Sequence, residues 1–551
     1  MKILIIGSNN RASLVIARSF GREGFKLDNI SFTGKTITNY SRYIRKSFYL
    51  NNINNDFQNS CEKLFNIIKN EKYNYIIPVN DTSNELVYFL YNKIAQISVI
   101  LGPNIEAFEK AKDKKYMLEL CKSLNIPVPD TEIIEAESFN AKTNFNYPVY
   151  LKPSYSSNIS SKFLHSYGVR KIKSSNQLDS FIRDNNSYSS ILVQKEYKGY
   201  GVGVNILAKE GDIISYTVHK RIHEPNDGGG SSYRKSIELD PILNEYCKKL
   251  CKAINYTGVL MIEFKKSSGI YYFMEINSRF WGSLELSLNS NVNFPLDMLK
   301  LFKDGNVNIA KYIPNRYSRH FYKDVGWVFN KMKNTKNPFI FLYWLYSFKN
   351  FFLGKESYDV GKYYDVKPIF AQYFLLVLNV YNKIKRKLVV AFTKPNKAKL
   401  TINKESQILF VCKGNINRSA FAEYYLRSKG FKNVKSVGTI EREGRKSSRT
   451  IEKIAKEQYL MELSDHRSNY LKEIDFLEAD IVFYFDNDNF QEISKRFSDK
   501  MDKVFFIGCE RENVNRIKDP YNGTYNDYKK ITGQISSILD LLIENKIIIF
   551  H

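Results

Sequence analysis

Nine residues, Val411-Cys-Lys-Gly-Asn-Ile-Asn-Arg-Ser419, constrain this chain more than any others. They follow the apolar run Ile408 to Val411, which reads as a strand, and precede Ala420 to Leu426, which reads as a helix. A loop in that position turns backbone N–H groups inward at a helix N-terminus, where they bind an oxyanion and favour the thiolate of a neighbouring cysteine. Cys412 is therefore the candidate nucleophile, and Arg418 the candidate fork onto two phosphate oxygens. An acid follows about a hundred residues on. Asp519, in Lys518-Asp-Pro-Tyr-Asn-Gly523, precedes a proline, which favours an extended or turn conformation, and can protonate a departing oxygen.

From about Gln407 to Glu544 the chain resembles the low-molecular-weight protein tyrosine phosphatase family. The Cys-x-Gly-Asn-x-x-Arg-Ser loop, Ser436-Val-Gly-Thr439, Ser464-Asp-His-Arg467 and the Asp-Pro-Tyr occur in that family's order and spacing. The resemblance implies a doubly wound parallel-sheet domain that hydrolyses a phosphate monoester through a phosphocysteine at Cys412, with Asp519 as acid. It also implies a polar network holding the loop at Gly414, Asn415, Ser419, Ser436 and His466, and Tyr521 as one wall of the substrate cleft. Two departures stand out. Asn417 occupies the place of a second loop cysteine, and Ile440 to Ser447 lacks the family's aromatic wall, which weakens phosphotyrosine specificity but not phosphatase chemistry. Arsenate reductases share the loop but need further cysteines, and only Cys509 follows Cys412.

The first three hundred residues have a different grammar. A strand ending at Gly7, then Gly7-Ser-Asn-Asn-Arg11 and an amphipathic helix from Ala12 to Glu23, lack the Gly-x-Gly-x-x-Gly of a dinucleotide site. With the strand Tyr75-Ile-Ile-Pro-Val-Asn-Asp81 and Leu101-Gly-Pro103, they predict a doubly wound α/β domain over residues 1–105. The pattern then turns antiparallel. Lys114 opens a helix and Lys152 ends a strand, two cations of the kind a triphosphate needs. Glu263, Glu275 and Asn277 lie on adjacent strands as hard oxygen donors, the last two on one face by the strand's period of two.

Residues 1 to about 305 resemble the ATP-grasp superfamily, in particular carboxylate-amine ligases related to carbamoyl phosphate synthetase and biotin carboxylase. The most specific motif is Glu275-Ile-Asn-Ser-Arg-Phe-Trp-Gly-Ser283, supported by Gln194-Lys-Glu-Tyr197 and Gly201-Val-Gly203. The resemblance implies an α+β ATP-grasp domain over 106–305 that uses ATP and Mg2+. Lys114 and Lys152 would hold phosphates, and Gln194, Glu196 and Tyr197 would line the nucleotide hinge. Glu263, Glu275 and Asn277 would bind magnesium, and Arg279 would steady an acyl phosphate transition state. His219-Lys-Arg221, Glu224 and Gly228 to Ser232 match the strand and mobile loop over the active site. Lys152-Pro-Ser-Tyr-Ser-Ser-Asn158 departs from the family's glycine-rich loop.

Charge and cysteines bound the remainder. The net charge is +26, from 83 basic and 57 acidic residues, but the excess is spread along the chain, and no zinc-finger, RNA-binding or helix-turn-helix pattern supports a nucleic-acid partner. Six scattered cysteines are no disulfide framework, and Cys247 and Cys251 read as packed thiols. The apolar N-terminus is too short for a signal peptide, so a cytoplasmic location is expected. Residues 306–392 form an aromatic, basic and mainly helical extension, whose apolar runs Pro338 to Tyr346 and Ile369 to Leu378 are too short to span a membrane. The second is followed by Lys383, Lys385, Arg386 and Lys387, a layout compatible with peripheral contact to anionic lipid, but packing of the helices against the ligase domain is the preferred reading. Asp359 and Asp365 could reach back to an active site, an outcome the sequence does not favour. Residues 393–406 read as a linker and 407–551 as the phosphatase domain. The expectation is a bifunctional enzyme. One site would activate a small-molecule carboxylate as an acyl phosphate for an amine or similar nucleophile, and the other would dephosphorylate a protein or metabolite. The alternative is a regulatory tyrosine phosphatase with an ATP-sensing, non-ligating module, in polysaccharide assembly.

Overall fold

Uninterrupted apolar runs at Ile3 to Ile6 and Tyr75 to Pro78 are buried on both faces, which suits the interior of a parallel sheet. In the computed structural model they sit side by side in a five-stranded, all-parallel sheet ordered Ile44–Tyr49, Lys26–Ser31, Lys2–Ile6, Tyr75–Pro78, Val99–Ile100. The strand order reverses between Lys2–Ile6 and Tyr75–Pro78, and just past their carboxyl ends Gly7 and Asn80 meet at this switch point. Gly7 has φ +95°, and a Cβ there would lie 2.6 Å from Asn80 Nδ2, so only glycine fits this approach. The structure describes all residues except 9–10, 51–52, 54–56, 136–142, 156, 160–163, 167, 176, 179–180, 182–189, 226–229, 379–398, 498–499, 509–515, 522, 546 and 550–551.

By its internal contacts the chain divides into two units. The first comprises Met1–Ile134, Pro148–Lys171 and Ser190–Val377, and the second Glu135–Tyr147, Ile172–Ser189 and Leu378–His551. Within the first, two further sheets follow the parallel one. A four-stranded sheet is ordered Arg170–Ile172, Val149–Pro153, Ser190–Lys195, Thr131–Glu135. A seven-stranded sheet runs Ile270–Asn277, Gly258–Ser267, Tyr200–Lys209, Asp212–His223, Tyr233–Ile237, Tyr317–Arg319, Glu356–Tyr358, antiparallel except at its last pair. Cys247 and Cys251 are buried among its apolar residues on the helix Pro241–Ala253, as packed thiols.

The extension's helices, expected to pack against the preceding domain, do so only in part. Two of its strands, Tyr317–Arg319 and Glu356–Tyr358, continue the large sheet, while its helix Phe339–Ser347 buries only Trp344 and Ser347. The aromatic run is apolar on every side, and only one stripe finds a protein surface. What holds that stripe is Asp324, fully buried, which accepts hydrogen bonds from Trp344 Nε1 at 2.7 Å, His223 Nδ1 at 2.7 Å and Ser232 Oγ at 2.6 Å, and from Arg319. Asp324 is held down at a pKa of about 2: burial pushes it up, but the bonded histidine, arginine and serine outweigh that. Lys383, Lys385, Arg386 and Lys387 lie outside the described residues.

In the second unit a four-stranded parallel sheet is ordered Val434–Gly438, Ile408–Cys412, Ile481–Tyr484, Val504–Phe506. Apolar clusters cover both its faces. Of the stretch expected as a linker, Lys399–Thr401 forms a strand antiparallel to Ile547–Ile549, and residues 393–398 lie outside the described residues.

Candidate active sites

Cys412 ends the strand Ile408–Cys412, and the helix Arg418–Ser428 begins six residues later. Between them Asn415 takes a left-handed φ of +50° and points its N–H at Cys412 Sγ, 3.2 Å away. Ser419 Oγ lies 3.0 Å from the same sulfur. Asn415 also spends its side chain on the loop. Its Nδ2 donates to Ser419 Oγ at 2.9 Å and to Ser436 Oγ at 2.7 Å, and its Oδ1 accepts the Asn469 N–H at 2.7 Å. Ser436 in turn donates to Glu423 at 2.5 Å. Gly414 offers its carbonyl to the Arg445 guanidinium, and Gly438 packs against the loop so closely that a Cβ there would lie 3.1 Å from the Gly414 carbonyl carbon. Asn415, Ser419 and Ser436 are thus hydrogen-bonded together, whereas His466 meets Ser447 Oγ at 3.1 Å instead of a loop atom. Its pKa is pushed down to about 4, by burial first and then by Arg467 and Arg427, so it is neutral at pH 7.

Arg418 is fully buried, and its fork is engaged rather than open. One nitrogen donates to Asp519 at 2.8 Å, the other to Asp486 and to the Ile517 carbonyl at 2.9 Å, while Nε has no partner among the described residues. Asp519 is thus brought to the loop through Arg418, and the Tyr521 N–H donates to its carboxylate at 3.2 Å. Asp486 was not expected. It caps the helix Asn487–Arg496 just after the neighbouring strand Ile481–Tyr484, and a carboxylate at that sheet end is the signal that could have found it. Asn417 accepts from Ser448 Oγ at 2.6 Å. The segment lacking an aromatic wall is tied down by Arg445, whose N–H donates to Ser468 at 3.0 Å.

In the first unit two cavities, about 580 and 500 Å3, share one wall made by Lys152, Val169, Glu275, Asn277 and Arg279. Glu263 and Glu275 face each other in register across adjacent strands, and Asn277 lies on the same side as Glu275, its Nδ2 3.5 Å from Glu263. Lys152 is buried, and its pKa is lowered chiefly by that burial. For Glu275 burial pushes the pKa up, but Lys114, Lys152 and Arg279 outweigh it and keep the group ionised. Glu263 is shifted the other way, since burial dominates although Arg221 donates to it at 2.7 Å. Lys114 opens the helix Lys114–Ser123, with Asp113 as its cap, and lines the smaller cavity.

Gln194 and Tyr197 line the larger cavity, and Gln194 Oε1 has no partner among the described residues. Glu196 is not in that lining; Lys171 holds it at 2.5 Å and Tyr150 at 3.3 Å. Gly203 pairs with His219 and Gly201 lies beneath Arg221. A Cβ at Gly203 would sit 2.2 Å from the His219 ring and one at Gly201 2.8 Å from Arg221 Cδ, so these glycines let both side chains lie across the strand. His219 stays neutral, its pKa well below the usual value through burial and then Arg221 and Arg234. Of the loop above, residues 226–229 lie outside the described residues, as does part of the stretch after Lys152, where Tyr155 donates to Asp113 at 2.7 Å.

In this unit sequence reasoning missed three cavity-side contributors. Asp81, just past the strand Tyr75–Pro78, accepts a two-pronged bond from Arg279 at 2.6 and 3.2 Å; burial opposes its charge, but Arg279 lowers its pKa. Arg11, at the switch point of the parallel sheet, and Arg234 line the larger cavity, and both bind Asp359 of the extension, Arg234 at 2.8 Å. Asp359 therefore does reach back, whereas Asp365 binds Arg18 at 2.9 Å and Ser41 at 2.8 Å, neither of which lines either cavity. Among the described residues no three His, Cys, Asp or Glu side chains converge as a metal cage. Two carboxylates and an amide oxygen beside cations suit a magnesium ion whose remaining ligands come from a polyphosphate.

Residues 407–546 match the family described as "Low molecular weight phosphotyrosine protein phosphatase", and residues 187–319 match "ATP-grasp in the biosynthetic pathway with Ter operon". The chain is 26% identical over 196 residues to the vancomycin/teicoplanin A-type resistance protein VanA of Enterococcus faecium, covering 32% of this chain and 55% of that protein. It is 24% identical over 231 residues to the carbamoyl phosphate synthase large chain of Clostridium acetobutylicum, covering 40% of this chain and 21% of that one. The chain thus spans at most about half the length of these curated relatives. Among solved structures, the low molecular weight protein tyrosine phosphatase from T. tengcongensis is 30% identical, covering 26% of this chain and 99% of that chain, with a TM-score of 0.25. The chain thus joins a stretch that matches the ATP-grasp family model, residues 187–319, to one that matches the low molecular weight phosphotyrosine protein phosphatase model, residues 407–546.

Proposed function

We propose that the chain is a bifunctional enzyme: an ATP- and Mg2+-dependent ligase that activates a carboxylate as an acyl phosphate, and a phosphomonoesterase that works through a phosphocysteine. The ligase reading is carried by the wall common to both cavities. Lys114 and Lys152 would neutralise the ATP phosphates, Gln194 and Tyr197 would hold the nucleoside, and Glu263, Glu275 and Asn277 would hold magnesium. The ion, when bound, would screen the triphosphate and polarise the transferred phosphoryl group. Arg279, steadied by Asp81, would stabilise charge on the phosphoryl oxygens as the substrate carboxylate attacks. Arg11, Arg221 and Arg234, which also line the larger cavity, suit an anionic substrate, one carboxylate of which becomes the mixed anhydride that an amine then opens with release of phosphate.

In the phosphatase, the Asn415 N–H and the Ser419 hydroxyl would support the Cys412 thiolate, which attacks phosphorus. Asp519 would protonate the leaving oxygen, then take a proton from the water that cleaves the phosphocysteine. A bound phosphate would compete with Asp486 and Asp519 for the Arg418 fork and offer its idle Nε a partner.

The test is ATP turnover to ADP across a panel of amino acids and uronic acids, with and without hydroxylamine. Substrate-dependent ADP release and hydroxamate formation are expected, and both should vanish in Glu275→Gln, since an amide cannot supply the carboxylate's charge to magnesium. Turnover unchanged in that variant would instead support the regulatory alternative.

A further inference from the structure

The helix Phe339–Ser347 carries no charged residue, yet apart from Trp344 and Ser347 its side chains are exposed or only partly covered. A helix apolar on every side belongs either in a core or against another apolar phase. The exposure continues into neighbouring segments. Phe339 is 70% exposed, Phe352 of the helix Lys349–Phe352 83%, and Phe370 of the helix over residues 367–378 72%. These segments adjoin one another. Trp344 packs edge-on against Phe348 at 4.9 Å, Phe351 against Tyr358 at 5.3 Å, and Gln372 lies 3.5 Å from His320, the cap of the helix Phe321–Thr335. Contiguous exposed apolar surface of this kind marks an interaction site.

The charges around it identify the partner. Residues 321–378 contain four carboxylates and eight lysines. Every carboxylate is buried in an ion pair: Asp324 and Glu356 on Arg319, Asp359 on Arg234 and Arg11, and Asp365 on Arg18. Six of the lysines, at 323, 333, 336, 349, 355 and 367, are exposed. The outward surface of this region is therefore aromatic and cationic, with no exposed carboxylate. A second copy of the chain seated on it would bring lysines against lysines, which opposes self-association.

We propose that this face docks on the surface of an anionic lipid bilayer, the aromatic side chains entering the interface and the lysines meeting lipid phosphates. Lysines at its edge can lay their stems along the apolar surface while their ammonium groups stay at headgroup level. No helix among the described residues is long and apolar enough to cross a membrane, so the chain would lie on the bilayer through this region.

The experiment is co-sedimentation of the full-length protein with vesicles of phosphatidylcholine alone and of phosphatidylcholine containing phosphatidylglycerol. Binding to the anionic vesicles should be roughly tenfold tighter or more, and should weaken with salt. The double variant Phe339→Ser, Phe352→Ser should abolish it with an unchanged far-UV circular dichroism spectrum, and Lys333→Gln with Lys355→Gln should weaken it several-fold, by the screening of the same charges. Absence of vesicle binding, equal binding to neutral and anionic vesicles, or binding unaltered by the Phe variants would overturn the proposal. So would concentration-dependent self-association, seen by light scattering, that the Phe variants remove.

Discussion

The Cys412 sulfur accepts the Asn415 N–H and lies 3.0 Å from Ser419 Oγ, while the groups proposed to bind the anion are the loop backbone and Arg418. Binding and chemistry are thus separable at the level of single atoms. Cys412→Ser should lower aryl phosphate turnover by about three orders of magnitude or more while tungstate affinity changes only a few-fold, measured by steady-state kinetics and calorimetry. His466 gives a second residue-scale test. Its folded pKa, about 4, lies below the ordinary 6.5, so the unfolded chain binds a proton more readily than the folded one. The stability it allows is therefore complete above pH 6.5 and lost as pH falls toward 4, by an amount on the order of 3 kcal/mol. His466→Gln cannot protonate, so the difference in melting temperature between it and the parent should shrink or reverse between pH 7 and 4.5. A pH-independent difference would mean that His466 is not a buried neutral imidazole.

At the scale of elements, the glycine-bearing strand Tyr200–Lys209 and the helix Phe339–Ser347 show how few contacts decide a placement. The strand accepts His219 and Arg221 across its face only because Gly201 and Gly203 have no side chain. The helix is tethered through Trp344 to Asp324, a carboxylate that also serves Arg319, His223 and Ser232. Asp324→Ala would leave Arg319 with Glu356 as its one remaining carboxylate among the described residues and take the acceptor from Trp344, His223 and Ser232, and should cost about 3 kcal/mol. Limited proteolysis should then cut between Lys336 and Lys355 much faster than in the parent. Unchanged cleavage there would show that the exposed helices are held by something other than this network.

For the whole molecule, the two units have separate cores and separate candidate sites. Fragments of residues 1–378 and 379–551 are therefore expected to fold and to retain ATPase and aryl phosphatase activity respectively. Starting the second fragment at residue 404 would remove the strand Lys399–Thr401 and should lower its melting temperature. Mixing the fragments should reproduce the rates of the intact chain. An ATP-dependent change in phosphatase rate confined to the intact chain would instead indicate coupling between the sites.

The sequence by itself carried what depends on local chemistry and short spacing. The strand-loop-helix around Cys412, the acid before a proline at Asp519, and the alternate residues Glu275 and Asn277 are each fixed by neighbours a few positions away, because backbone geometry propagates over that range. Tertiary structure decided the rest. Asp81, Arg11, Arg234, Asp359 and Asp486 belong to their sites only because sheet order and long-range ion pairs bring them there, Arg279 to Asp81 across 198 residues and Arg11 to Asp359 across 348. Nor does apolar periodicity reveal whether a surface finds a partner within the same chain. The run Pro338 to Tyr346 reads as core by composition, and only the fold leaves most of it facing outward, since burial depends on which surfaces remain to cover it.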